Sequence, residues 1–419
     1  MKVIHLSSSD FSGGASIACK RISDALILEN IDSNLLVQRK LSPDDKVKST
    51  TNNFLSRLHY NLRFALDEGF IRLFTNQQRG RFSNPLIGID IADHPLIINS
   101  DVINLHWING GFLSLNNLKK MGKLGKPIVW TLHDMWAYTG GCHYSLNCRK
   151  FESECNYCPS LKRSGKNDVS NKIFSEKKFF NELNLTIVTC SKWLKQEAER
   201  SALLSKKRIV NIPNPLNTDL FRPLDKTAAR KKLGLSDNKT YLLFGAMNII
   251  DERKGFKYLL KSLNKLASDS PGTKDTTEIL VFGKANNEIL NSIPFKCNYF
   301  GNLKSEEEVI ACYNSADIFI APSLQDNLPN TVLESLSCGT PVISFNIGGL
   351  PDMIDHLGNG YLAHAGSIED LVNGIKWYIN NKGNYVQLRL NAREKVVNNF
   401  SQEVVAKKYK ELYTSLIKN

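Results

Sequence analysis

Residues Pro322–Pro341 read PSLQDNLPNTVLESLSCGTP. Two acids, Asp326 and Glu334, stand eight positions apart across a turn that opens a helix. Pro329 lacks an N–H and restrains Leu328 toward an extended backbone, so a strand does not run on through Asn327–Pro329. From Thr331 the pattern turns helical, with Val332, Leu333, Leu336 and Ser337 on one face. Gly339 stops the helix, and Pro341 begins the next apolar run, Val342–Phe345. The run before the turn, Ala316–Pro322, reads as a short buried strand. The segment is therefore a strand–loop–helix–strand unit, and the free N–H groups of a helix start attract anions. An acid beside that end and a second one further on suit a ligand with both hydroxyls and phosphate, a nucleotide sugar.

The same alternation extends along the chain. Short apolar runs at Lys2–Leu6, Asn34–Val37, Val102–Leu105, Pro127–Leu132 and Thr186–Cys190 are separated by helical patterns. A second set follows at Tyr241–Phe244, Glu278–Phe282, Asn298–Phe300, Ile318–Ala321 and Val342–Phe345. Strands separated by helices call for parallel sheets with crossovers, and two sets call for two doubly wound α/β domains. The Pro-dense stretch Ile212–Pro223 marks the join, with closure expected about Asn214. The length of 419 residues allows two or three domains. The composition, 42% apolar and 23% charged, is that of a soluble globular protein. The opening MKVIHLSSSDFSGG is a strand and a Gly-rich turn, not a signal peptide, and no run approaches the roughly 20 apolar residues of a membrane span. A cytoplasmic protein is expected, with room for peripheral contact with the inner membrane face. The net charge of +13 is compatible with acidic nucleotides, anionic lipid or nucleic acid and does not choose among them.

Pro322–Pro341 resembles the donor-sugar motif of retaining GT-B glycosyltransferases of glycosyltransferase family 4, in which Glu-x7-Glu precedes a small-Cys-Gly-Thr/Lys-Pro-Val run; Asp326 stands where the first Glu usually lies and Glu334 where the second lies. The resemblance spans nearly the whole chain. It implies two Rossmann-like domains facing a cleft: 1–213 for the acceptor, 214–395 for the donor, and a helix at 396–419 that returns to the first domain. It implies that Glu334 holds the ribose, and that Asp326 with Asn327 and Leu328 holds the sugar, Asn330 and Thr331 following at the helix start. Arg253 and Lys254, just before a helix, are expected to neutralise the departing diphosphate, with Asn248 nearby. Gly348 and Gly349, and Gly283 with Lys284, are expected to frame the nucleotide. Gly13 and Gly14 resemble the family's first Gly-rich loop, which approaches the donor phosphate or the acceptor.

In the first half, Leu105-His106-Trp107 and Leu132-His133-Asp134 each place a histidine at a strand's C-terminal end, the edge that carries ligands in open α/β sheets. His133 matches a family position near the reacting sugar; His106 is balanced between a site and a core role. No Ser/His/Asp set suited to hydrolysis is visible, and no Asp-x-Asp metal site; the second absence fits the GT-B resemblance, which implies protein cations and helix dipoles in place of a divalent ion and no cofactor for catalysis. Residues 140–159 hold Cys142, Cys148, Cys155 and Cys158. Cys155-x2-Cys158 is a good zinc half-site and Cys142-x5-Cys148 a looser one, so a structural zinc is expected in preference to free thiols or redox pairing. A similar insertion occurs in a subset of bacterial polysaccharide glycosyltransferases.

Two basic stretches complete the reading. Phe54–Phe74 is amphipathic, with Leu55, Leu58, Leu62, Leu66 and Leu73 against Arg57, Arg63 and Arg72, and 161–178 is rich in Lys and Arg. The ordinary reading is a core-packed helix and a solvated loop; the sharper one is docking on an anionic membrane that bears a lipid-diphosphate acceptor. The resemblance thus implies hexose transfer, with retention, from a UDP- or GDP-sugar to a saccharide or polyprenyl-diphosphate-linked acceptor in surface-polysaccharide assembly, without nucleic acid. Two alternatives are a GT-B nucleotide-sugar epimerase and a zinc-containing nucleic-acid-binding protein.

Overall fold

A computed structural model describes residues 1–76 and 81–418. Seven strands belong to the first half: β1 (Lys2–Ser9), β2 (Asp32–Arg39), β3 (Val47–Ser49), β4 (Val102–Leu105), β5 (Ile128–Leu132), β6 (Leu185–Thr189) and β7 (Arg208–Asn211). Six follow: β8 (Thr240–Asn248), β9 (Thr277–Lys284), β10 (Cys297–Tyr299), β11 (Ile318–Ala321), β12 (Val342–Phe345) and β13 (Gly360–Ala363). The sheets run β3-β2-β1-β4-β5-β6-β7 and β10-β9-β8-β11-β12-β13, parallel throughout. Both orders reverse direction once, between β1 and β4 and between β8 and β11. These are the switch points where crossover helices leave opposite faces and a crevice opens at the strand ends. The two α/β units expected from the sequence are thus present.

The central strands β4, β5, β11 and β12 are buried at every residue, which is why they read as unbroken apolar runs. In the second unit, helix Phe256–Asp269 covers one face with Phe256, Leu259, Leu263 and Leu266 against Leu242, Val281 and Ile343. In the first, Ile4, Ile103, Trp130 and Ile187 form one core, and Val3, Val102, Val129 and Val188 the other.

The chain divides into Met1–Pro215 with Gln402–Asn419, and Leu216–Ser401. The returning segment therefore starts at Gln402 and not at 396: residues 396–400 end helix Tyr385–Phe400, whose Val396 and Phe400 are buried in the second unit. Helix Gln402–Ile417 brings Val405, Tyr409, Leu412 and Tyr413 into the core beside Val3, Ile22 and Leu26. Its tyrosines also reach buried polar groups of the sheet. Asn104 Nδ2 donates to Tyr413 Oη at 2.6 Å, and Thr131 Oγ1 and Tyr409 Oη are 3.2 Å apart.

Helix Phe54–Phe74 departs from the ordinary amphipathic pattern. Its one fully buried side chain is Asp67, while Leu55, Leu58, Leu62, Leu66 and Leu73 face solvent. Burial pushes the Asp67 carboxyl up to about 6; Arg81 and the Asn84 N–H pull it down, and Glu68 pushes it further up. The folded chain therefore binds an extra proton between about pH 4 and pH 6. Stability falls as pH rises through that window and stays lower above it. Asp67→Asn is expected to raise stability by up to about 3 kcal/mol at pH 7.5 and to change little near pH 4. Urea midpoints at the two pH values check this; an equal gain at both would refute it.

Candidate functional site

At the second unit's switch point, β8 passes through a bulge between Gly245 and Asn248 that turns Met247 and Asn248 out to solvent. The next turn is capped by Asp251, whose side chain accepts from Arg253 N at 3.0 Å. Gly255 follows with φ +74°, and a Cβ there would stand 1.8 Å from Pro322 O. Only glycine lets the basic turn come so close to the exit of β11.

Lys254 Nζ consequently donates to Asp326 Oδ2 at 2.6 Å. Arg253 Nη1 lies 3.7 Å from Asp326 Oδ1 and donates to Gln325 O at 3.3 Å, while its Nη2 donates to Asp251 Oδ2 at 3.2 Å. From the other side, Gly348 (φ +54°) brings its backbone against Asp326 O, which accepts from Gly349 N at 3.2 Å. Burial alone pushes the Asp326 carboxyl up; the charges of Lys254 and Arg253 outweigh it and hold the group below the usual carboxylate range. A buried carboxylate and two cations are thus locked together at the place where a doubly wound sheet takes its ligand.

Helix Asn330–Ser337 starts at Pro329 with no side-chain cap. Glu334 on it is buried, and Tyr313 Oη donates to its Oε2 at 3.2 Å. Asn327 and Leu328 are buried ahead of the helix, and Asn330 and Thr331 are half-buried at its start. At the end of β9, Gly283 (φ +114°) closes on Ala246 O, and Lys284 is exposed beside Asn248, its partner across the sheet. The residues expected around the donor in this half therefore gather at one sheet edge. Gly13 and Gly14 belong to the first unit, where Gly13 (φ +94°) opens helix Gly14–Leu28 at the end of β1.

The first unit carries a chain of three histidines along its own switch point. His5 Nδ1 lies 2.9 Å from His106 Nε2, His106 Nδ1 lies 3.0 Å from His133 Nε2, and His133 Nδ1 lies 3.7 Å from Cys190 Sγ. Burial drives His5 down to about 3, His133 to about 4 and His106 well below its ordinary value. All three are neutral at pH 7, and each ring then has one N–H and one lone pair. Cys190 donates its S–H to Leu132 O, which leaves the sulfur to accept from His133. The hydrogen bonds then run one way, from His5 through His106 to His133, and fix the tautomer of each ring. His106 is the middle link of this chain. His133 and His106 also line a small depression with Trp107, Asn109 and Asp134.

One constellation was not legible in the sequence. Asp134 Oδ2 lies 2.6 Å from His143 Nδ1, and His143 Nε2 lies 2.8 Å from Ser83 Oγ. This is the Ser/His/Asp order that had looked absent, assembled from three separate segments. Ser83 is fully buried, so no substrate reaches its oxygen. The array is a clamp: Ser83 N donates to Gly141 O, His143 N to Arg81 O, and Met135 N to His143 O. Burial pushes Asp134 up, but His143 holds it below the usual carboxylate range.

The clamp seats the cysteine loop. Cys155 and Cys158 are buried, Cys142 and Cys148 half-buried, and all four are free thiols. The fold gathers the four: Cys142 feels the charge of Cys158, Cys155 and Cys148, and Cys148 acts on Cys155 and Cys158 as well. Among the described residues, a group of three ligand atoms within 4.8 Å of one another is found at His5, Cys19 and His106. The cysteine loop is also tied by its backbone, with Gly140 N donating to Cys155 Sγ and Cys158 N to Asp168 Oδ2. Beside it, buried Lys177 donates to Thr139 O at 2.9 Å and lies over the Trp136 ring.

Residues 225–395 match the family model described as Glycosyl transferases group 1. An uncharacterized glycosyltransferase of Haemophilus influenzae is 29% identical over 211 residues, 49% of this chain and 56% of that protein. The putative colanic acid biosynthesis glycosyl transferase WcaC of Escherichia coli is 24% identical over 289 residues, 65% of each. The chain thus spans less than two thirds of the length of these two relatives. Among solved structures, Anabaena Alr3699/HepE in complex with UDP-glucose superposes with a TM-score of 0.64 at 15% identity, over 99% of this chain and all of that one. Residues 225–395 thus match a group 1 glycosyl transferase domain, and the chain has the GT-B fold of the solved structure.

Proposed function

We propose that the chain transfers a hexose, with retention, from a nucleotide-sugar donor to a saccharide or polyprenyl-diphosphate-linked acceptor in surface-polysaccharide assembly. The observation that carries this reading is the Arg253–Lys254–Asp326 group at the β8/β11 switch point, with Glu334 on the helix that follows. UDP is the first donor base to test, because a chain of the same fold is described in complex with UDP-glucose. Polysaccharide assembly is supported by the resemblance to WcaC.

On this reading the donor diphosphate takes Lys254 and Arg253 over from Asp326, which turns to the sugar hydroxyls. Glu334 accepts from the ribose hydroxyls, with Tyr313 steadying one of its oxygens. The bond from the anomeric carbon to the diphosphate oxygen breaks as the acceptor oxygen bonds that carbon on the same face. The acceptor proton passes to the departing phosphate, whose growing charge Lys254 and Arg253 neutralise. The first unit takes the acceptor at the strand ends that carry His106 and His133.

Thermal-shift measurements with UDP-, GDP-, dTDP- and ADP-sugars test the reading. At a hundred times the dissociation constant, one nucleotide series is expected to stabilise the protein by about 2.7 kcal/mol, a shift of a few degrees. Glu334→Ala is expected to abolish it. No shift with any donor would remove the basis for the transfer reading.

A further inference from the structure

Leu55, Leu58, Leu62, Leu66 and Leu73 recur at three-, four- and seven-residue intervals, so helix Phe54–Phe74 carries them as one stripe. In a globular protein such a stripe normally faces the core. Here these leucines are 52–67% exposed, and Phe54 at the start of the helix is 78% exposed. The side turned inward carries two charged residues and a phenylalanine. Arg63 Nε donates to Gly111 O at 3.0 Å and its Nη2 to Gln38 Oε1 at 3.3 Å, Asp67 is buried, and Phe70 leans on Phe82, Leu161 and Ile173. The helix is therefore held by the face that its hydrophobicity would have put outside. A continuous apolar stripe of this kind differs from scattered surface leucines and marks a contact surface.

The fold also joins the two basic stretches that are far apart in sequence. Thr75 pairs with Leu161, Asn76 N donates to Ser160 O at 2.8 Å, and Lys162 N donates to Phe74 O at 2.9 Å. Lys162 Nζ reaches Arg72 O at 2.5 Å. This sets the exposed Lys162, Arg163 and Lys166 against the C-terminal end of the stripe, next to Arg72, with Arg57 exposed near the other end. The neighbouring acids are engaged: Asp168 accepts from Cys158 N and Gly165 N, and Glu68 lies 4.0 Å from Arg81. The face is thus apolar along its length and cationic at its ends.

We propose that this face docks on an anionic lipid bilayer. The helix lies in the plane of the interface, with the five leucines among the acyl chains and Arg57, Arg72, Lys162, Arg163 and Lys166 at the headgroups. It lies on the membrane and does not cross it, since no described helix is long and apolar enough to span one. A second copy of the chain is the poorer occupant. A two-fold contact through this stripe would set cationic ends against cationic ends. Arg63, which is spent on Gly111 and Gln38, is not part of the docking set. The inference stands apart from the nucleotide reading, because it uses no residue of that site.

The test is co-sedimentation of the full chain with vesicles of phosphatidylcholine alone, or with 30% phosphatidylglycerol added, at about 0.15 M salt. The wild type is expected to bind the anionic vesicles and to lose that binding at high salt. Leu58→Ser/Leu62→Ser/Leu66→Ser is expected to abolish it. Arg72→Gln/Lys162→Gln/Arg163→Gln is expected to weaken it about a hundredfold. Both variants should unfold at the wild-type temperature, because the altered side chains are exposed. Absence of wild-type binding, or equal binding by the leucine variant, would overturn the proposal. So would a wild-type dimer in sedimentation velocity that the leucine variant dissolves, which would assign the face to a second copy.

Discussion

Lys254→Ala is expected to lower transfer by about a hundred- to a thousandfold, the usual effect of removing one preorganised group from a developing oxyanion. It should also destabilise the second unit by about 2–4 kcal/mol. Asp326 is 6% exposed and would keep only Arg253, at 3.7 Å, as a counter-charge. The two effects separate in a double variant. Lys254→Ala/Asp326→Asn removes the stranded charge and is expected to recover most of the stability with none of the activity. Urea midpoints and initial rates on all three proteins give the answer. Recovery of rate in the double variant would show that Lys254 serves only to neutralise Asp326.

Gly348→Ala is expected to be nearly as damaging, although it changes no polar group. A Cβ at 348 would stand 1.9 Å from Asp326 O, with φ at +54°. The loop must move, and the Gly349 N to Asp326 O hydrogen bond is lost with it. Backbone strain and displacement together should cost about 3 kcal/mol or more. Because Asp326 moves too, donor stabilisation in the thermal shift should vanish. Gly358→Ala is the control: its Cβ would meet Asp355 Cβ at 3.4 Å, an ordinary contact. If both glycine variants behave alike, the close approach of residues 348 and 326 does not matter.

The fold was legible where strands are buried on both faces. Val102–Leu105, Ile318–Ala321 and Val342–Phe345 come out of the sequence with the bounds that the structure has. β3 and β7 did not, for the same physical reason. Both are short edge strands, and Val47–Ser49 and Arg208–Asn211 expose enough polar side chain to break the apolar run. In the second unit the residues expected around a donor could be picked out together because most lie in two contiguous stretches, 248–255 and 326–349. The pairing of Lys254 with Asp326 was not readable, since it depends on Gly255 and Gly348 bringing distant turns together. In the first unit, Ser83, Asp134 and His143 gave no signal, and His5 passed for a strand residue. Periodicity found the stripe of helix Phe54–Phe74 but could not say which side faces in. That was decided beneath the helix, where Arg63 finds Gly111 O and Gln38 Oε1 and Phe70 finds an apolar cluster.

The return of helix Gln402–Ile417 to the first sheet has a consequence for how the chain is made. Leu216–Ser401 is one continuous piece whose two ends already meet, Leu216 pairing with Ser401 and donating to Phe400 O at 2.8 Å. It can complete its sheet as soon as it leaves the ribosome. The first unit, although synthesised earlier, lacks Val405, Tyr409, Leu412 and Tyr413 until the final stretch emerges. Until then Asn104 and Thr131 wait for their tyrosines, and one face of the sheet is covered only in part, by Ile22 and Leu26 of helix Gly14–Leu28. The half begun first is finished last, so a chain that stalls after residue 401 carries a complete second unit and an open first one.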